Sequence, residues 1–159
     1  MNTNPEFSHN PDFSHNGIRD DLTHTVAPPL FYLHVDRMIA GSMRNDHAFS
    51  LIAFTLLSDS TSEQVLDLAH SISLSMRKED LCGRLGQYQF NVALGGDIHA
   101  GQELCRRVHE SFISEVITNT AQWEKGESAL DLFYRLDQLS EISMSNRSDS
   151  RRVGERAGE

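Results

Sequence analysis

Residues 50–57, Ser-Leu-Ile-Ala-Phe-Thr-Leu-Leu, form a nearly continuous apolar run bounded by Ser, Asp and Thr. A strand with one wet face alternates apolar and polar residues, whereas an uninterrupted run is what a central strand buried on both faces needs. A second pair of short apolar stretches lies at 81–94, where Leu81 to Leu85 and Phe90 to Leu94 are separated by Gly86-Gln87-Tyr88-Gln89 and read as a hairpin.

Helical patterns surround these strands. Leu30, Leu33, Val35, Met38 and Ile39 recur near helical spacing after Pro28-Pro29, a pair suited to a helix start, so residues 30–43 read as an amphipathic helix. Val65, Leu66, Leu68, Ala69, Ile72 and Leu74 mark a second helix, with Ser60 or Thr61 as its N-cap and Glu63 and Gln64 in its first turn. Leu104, Val108, Phe112 and Val116 fall at i, i+4, i+8 and i+12 and read as a third. Gly95-Gly96-Asp97 is a loop leading into the third. By itself the pattern gives a mixed α/β domain.

A chain of 159 residues suits one domain with short tails. Residues 1–19 are rich in Asn, Pro, Ser and His and contain a tandem repeat, Asn4-Pro5-Glu6-Phe7-Ser8-His9 and Asn10-Pro11-Asp12-Phe13-Ser14-His15. That composition cannot bury a core and predicts a disordered tail. A sharper reading is a bivalent motif presenting Phe7 and Phe13 to a partner; a metal clip through His9 and His15 is weaker, because a firm site needs more ligands. Residues 146–159 read as a flexible tail, leaving 20–145 as the domain.

A net charge of −9 and a pI near 5.3 argue against nucleic acid or an anionic membrane as partner. No apolar run approaches the roughly 20 residues of a membrane helix, and no charged and apolar leader opens the chain. Cys82 and Cys105 form no CxxC pair and read as buried thiols of a reducing compartment, so the expected location is cytoplasmic.

The segment Arg77-Lys78-Glu79-Asp80-Leu81-Cys82-Gly83-Arg84-Leu85-Gly86-Gln87-Tyr88-Gln89-Phe90 resembles the signature of GGDEF-family diguanylate cyclases, in which Arg-x-x-Asp precedes an Arg-x-Gly-Gly-Asp/Glu-Glu-Phe turn. Asp20-Asp21-Leu22-Thr23 is similar to the Asp-x-Leu-Thr that opens that domain, although the family's next residues, Gly-Leu-x-Asn-Arg-Arg, are here His24-Thr25-Val26-Ala27-Pro28-Pro29. The resemblance implies an α/β (α+β) fold of the nucleotidyl-cyclase palm type, with a central, mainly antiparallel five-stranded sheet flanked by helices. It also implies what is missing. The turn reads Gly86, Gln87, Tyr88, Gln89, Phe90, and the strand's Asp-x-Asp positions are Thr55 and Leu57. A hydroxyl, an isobutyl group and a phenol cannot gather magnesium and a triphosphate, and without two metals the 3'-hydroxyl of GTP is not activated. The segment that reads guanine in the family is absent between Leu57 and Val65, and Met144 or a neighbour stands near the family's phosphate-binding Lys. No catalytic residue, metal site or cofactor is expected.

What the resemblance retains is Arg77-x-x-Asp80, six residues before Gly86, the family's inhibitory site for cyclic di-GMP. Arg can donate to the O6/N7 edge of guanine and Asp can accept from N1–H and N2–H. Arg106 or Arg107 would supply a second arginine. The bland reading of 77–80 is a charged, solvated helix end, and that of Arg84 a strand residue paired with a carboxylate. Tyr88 and Trp123 are interface anchors or caps of the local core. The expected function is therefore an inactive GGDEF-like receptor for cyclic di-GMP that acts on an unidentified protein partner, or as a homodimer. The alternative is a nucleotide-independent scaffold with a vestigial site; residual cyclase activity is a third reading.

Overall fold

The computed structural model describes residues 10–157, with side chains through residue 150. Its elements run α1 (Pro28–Asn45), β1 (Phe49–Leu56), α2 (Ser62–Ser75), β2 (Leu81–Gly86), β3 (Gln89–Gly95), α3 (Ile98–Ser111), β4 (Val116–Gln122) and α4 (Ala129–Ala157). The four strands form one antiparallel sheet in the order β2-β3-β1-β4.

β1 lies inside the sheet, and seven of its eight residues are buried. Because side chains alternate across a strand, Ile52, Phe54 and Leu56 face one helical layer while Phe49, Leu51 and Ala53 face the other. The first set packs with Val65, Leu68 and Ile72 of α2 and Leu104 and Val108 of α3. The second packs with Phe31 and Val35 of α1 and Leu132 and Leu136 of α4. The result is a three-layer α/β/α sandwich, as a doubly buried strand requires.

Local chemistry sets the helix ends. Thr61 caps α2 through a reciprocal box: its hydroxyl accepts from Gln64 N–H at 3.2 Å, and the Gln64 amide oxygen accepts from Thr61 N–H at 2.8 Å. Asp97 caps α3 by accepting from Ala100 N–H, preceded by Gly96 at φ 151°, a conformation that disfavours side chains. Pro28 and Pro29 occupy the first turn of α1.

Several expectations need correction. The sheet has four strands, not five; the nearest approach to a fifth is Val26, which makes an isolated parallel bridge to Gly83 on the outer edge of β2. Val116 belongs to β4 and not to the third helix, because α3 ends at Ser111 with Phe112 as its C-cap. Residues 10–19, expected as part of a tail, lie against the hairpin through bonds from Arg84 and Gln87. The first hexapeptide, with Phe7 and His9, falls outside the described residues. At the other end α4 continues through 146–157, where Arg147 pairs with Glu115; Asn119 of β4 also accepts from Ser143 at 2.9 Å. Polar anchors thus hold a helix whose sequence reads as a solvated tail.

Candidate functional site

Two regions bear on function, and the sheet's pleat separates them. The first is a groove of about 630 Å³ where Thr55 and Gln89 meet Asp137, Ser140, Glu141, Met144 and Ser145 of α4. Thr55 and Gln89 are partners across β1 and β3, so the strand position meets the turn at Gln89 and not at Tyr88, the position singled out from sequence. Tyr88 does not join them: its main-chain oxygen accepts from Leu56 N–H at 2.8 Å, and its ring packs against the α2/α3 core.

The electrostatics of this groove disfavour a triphosphate. None of its lining residues is cationic, and partial burial together with the Glu141 carboxylate raises the Asp137 carboxyl above its ordinary range. The carboxylates of Asp137 and Glu141 repel phosphate, and Leu57 offers no side-chain oxygen ligand. Among the described residues no cluster of three or more His, Cys, Asp or Glu is placed to hold a metal ion.

The second region is the corner between α2 and β2. Arg77 projects into solvent, whereas Asp80 is only 7 % exposed and turns back on the chain. One of its oxygens, Oδ2, accepts from Arg77 N–H at 3.0 Å, and its own N–H donates to the Arg77 carbonyl at 3.2 Å. The other oxygen, Oδ1, is buried without a hydrogen-bond partner, as is Nε of Arg107. Burial pushes the Asp80 carboxyl upward; the Arg77 N–H opposes it, Glu79 adds to it, and the Arg77 and Arg107 guanidiniums pull it back. Arg107 is therefore the second arginine near Asp80. Arg106 is not: it is exposed and engaged by Glu103 and Glu110 on its own helix.

Asp80 also lines a cavity of about 500 Å³ enclosed by the 19–26 segment and α2, where Arg19, His24 and His70 add polar groups. These three had no sequence signal beyond the neighbouring Asp-x-Leu-Thr. Trp123 is buried, stacks on Phe49 with centroids 5.7 Å apart and donates its indole N–H to the Glu127 carbonyl at 2.9 Å, which makes it a core cap.

Arg84 is the largest fully buried side chain. It pairs with Asp20 at 3.1 Å, both side chains being sealed from solvent, and donates to the carbonyls of Asp12 at 2.7 Å and Gln87 at 2.9 Å. Asp20 in turn accepts from the N–H and hydroxyl of Thr23. Asp20, Thr23 and Arg84 thus clamp the N-terminal segment to the signature hairpin.

No protein-family model matches the sequence, and no curated protein matches it. Solved structures do match. The fold is similar to that of the diguanylate cyclase SiaD of Pseudomonas aeruginosa, solved with its activator SiaC, at TM-score 0.71 and 18 % identity over 80 % of this chain and 58 % of that one. It is similar to the GGDEF domain of DgcB from Caulobacter crescentus in complex with cyclic di-GMP, at TM-score 0.71 and 12 % identity over 85 % and 94 %. A third likeness is to LapD of Vibrio cholerae, an S helix-GGDEF-EAL chain bound to cyclic di-GMP, at TM-score 0.70 and 13 % identity over 83 % and 35 %. The chain spans just over half of SiaD and about a third of LapD. Its fold is the GGDEF fold.

Proposed function

We propose that this GGDEF-fold chain is a receptor for cyclic di-GMP without cyclase activity, which binds its ligand at the Arg77–Asp80 corner and passes the signal to a protein partner. The observation that carries the reading is the pair of buried, unpartnered polar atoms there, Asp80 Oδ1 and Arg107 Nε, beside the exposed Arg77. A buried acceptor without a donor costs free energy that a guanine N1–H or N2–H could offset. Arg77, free in solvent, suits the O6/N7 edge or a phosphate. Structures of the same fold with cyclic di-GMP bound add support.

Absence of catalysis is argued from Thr55, Leu57 and Tyr88, which offer no carboxylate at the strand and turn positions, and from the groove beside Thr55 and Gln89, whose lining has no cation to hold a triphosphate. The chain incubated with GTP and magnesium or manganese should form no cyclic di-GMP. Calorimetric titration with cyclic di-GMP tests the receptor: binding at micromolar or tighter affinity, abolished in Arg77→Ala and not seen with GTP, is the expected result. Silence from a folded protein would sink it.

A second reading has its own observation. Tyr32, Leu130, Phe133 and Tyr134 form an aromatic groove of about 490 Å³ between α1 and α4, edged by Asp36 and Asp137. Partner binding there that ignores both cyclic di-GMP and Arg77→Ala would favour a nucleotide-independent interaction module.

A further inference from the structure

The second hexapeptide does not merely lie near the hairpin; it is held at four successive residues, Pro11, Asp12 and Phe13 by the hairpin and Ser14 by Asp21. Gln87 donates its side-chain amide to the Pro11 carbonyl at 2.8 Å, and Arg84 donates to the Asp12 carbonyl at 2.7 Å. The Phe13 ring sits 5.2 Å from the Arg84 guanidinium carbon, within cation–π range. The Ser14 hydroxyl donates to the Asp21 carboxylate at 2.7 Å, and the Ser14 carbonyl accepts from Asp21 N–H at 2.9 Å. Pro11 is buried while the Asp12 side chain is exposed.

The two repeats differ at one position, Glu6 against Asp12. That is the position whose side chain faces water and whose recognised atom is its main-chain carbonyl. The residues contacted by Gln87, Arg84 and Asp21, a proline and the next residue through their carbonyls, a phenyl ring and a serine, recur in the sequence as Pro5, Glu6, Phe7 and Ser8. Each repeat is also followed by Asn, at 10 and 16. Asn16 accepts from Ile18 N–H and Arg19 N–H and so directs the chain toward Asp20.

We propose that Arg84, Gln87 and Asp21 form a peptide-binding site for the Asn-Pro-(Asp/Glu)-Phe-Ser-His motif, and that the first repeat is a second ligand for it. The repeats exchange on one site by a six-residue shift. Seating Pro5–Ser8 lengthens the connection to Asp20, and the entropy of such a loop grows only with the logarithm of its length. The tethered first repeat is present at high effective concentration. One copy can then leave for a partner while the Arg84 guanidinium stays covered.

The test is a double-mutant cycle in the full chain, comparing Phe7→Ala, Phe13→Ala and the double variant by thermal unfolding. Interchangeable ligands make the losses non-additive: each single variant is nearly silent, and the double variant loses about 2 °C or more beyond their sum. If the double variant equals Phe13→Ala, the proposal is wrong. Should the double variant be too unstable to compare, NMR of Phe13→Ala decides. The Gln87 side-chain amide should keep its wild-type shift and the Phe7 ring should show nuclear Overhauser contacts to Arg84, because Pro5–Ser8 has replaced Pro11–Ser14; a Phe7 ring without those contacts overturns the exchange. In the double variant that does fold, a synthetic peptide of residues 4–10 should restore the shift saturably, and its Phe7→Ala form should not.

Discussion

A guanidinium sealed from water has to be matched by charge and hydrogen bonds, and at Arg84 Asp20, two carbonyls and a phenyl face supply the match, with Nε buried and without a hydrogen-bond partner. Arg84→Met would strand the buried Asp20 carboxylate, with Thr23 as its remaining donor, and should lower unfolding free energy by about 3–5 kcal/mol in urea denaturation. Adding Asp20→Asn should recover part of that loss, because the stranded charge is then gone. Asp80 makes a pH prediction. Its raised carboxyl favours the neutral form in the folded chain, so its contribution to stability is present at acid pH and is lost as pH rises through that raised value. A ligand donating N–H groups needs the ionised form. Cyclic di-GMP affinity should therefore be full well above the raised value and fall on acidification, beginning at a higher pH than an ordinary aspartate would set. Calorimetry across pH should show this in the wild type, and Asp80→Asn should flatten the profile.

At the scale of elements, α1 packs tightly over Gly83, where an added Cβ would stand 2.7 Å from Cδ2 of Phe31. Phe31 is fully buried and has no room to retreat, so Gly83→Ala should cost about 1–3 kcal/mol through overpacking, measured as a lower midpoint in thermal or urea unfolding. The elements legible in the sequence were those whose signals are local: the capping box of Thr61, the apolar run of β1 and the turn between β2 and β3. β4 was missed because its burial is mainly at its ends, Val116 and Ala121, while Ile117 to Thr120 are half exposed. Val116 also happened to extend the spacing of α3. The run Val116-Ile117-Thr118, rich in β-branched residues, was the available signal. Within the site, the spacing of Arg77 and Asp80 was readable, but their opposite burial was not, since it depends on which way the 77–80 turn folds back on its own backbone. Two partners of Arg84, Asp20 and the Asp12 carbonyl, lie 64 and 72 residues away, and nothing local to Arg84 points to them.

For the molecule as a whole, the α2/α3 face contains both thiols, Cys82 and Cys105, each free and buried. Burial pushes Cys82 up to about 12 and raises Cys105, against which hydrogen bonds from Thr120 and Thr118 act. The thiolate is the reactive species, so neither should be alkylated by iodoacetamide at pH 8 in the native state. Labelling followed by mass spectrometry should proceed at the rate of unfolding, and Arg84→Met should accelerate it. The clamp between Asp20 and Arg84 also bears on the order in which the chain can assemble. Asp20 leaves the ribosome 64 residues ahead of its cation, and chains are made at roughly 5–20 residues per second. For those seconds its carboxylate stays hydrated, and closing so long a loop is slow relative to forming the α2 turn or the β2–β3 hairpin. A segment synthesised well before the hairpin that holds it is thus among the last to find its place, and a cargo fused ahead of it would be felt in the final step of maturation.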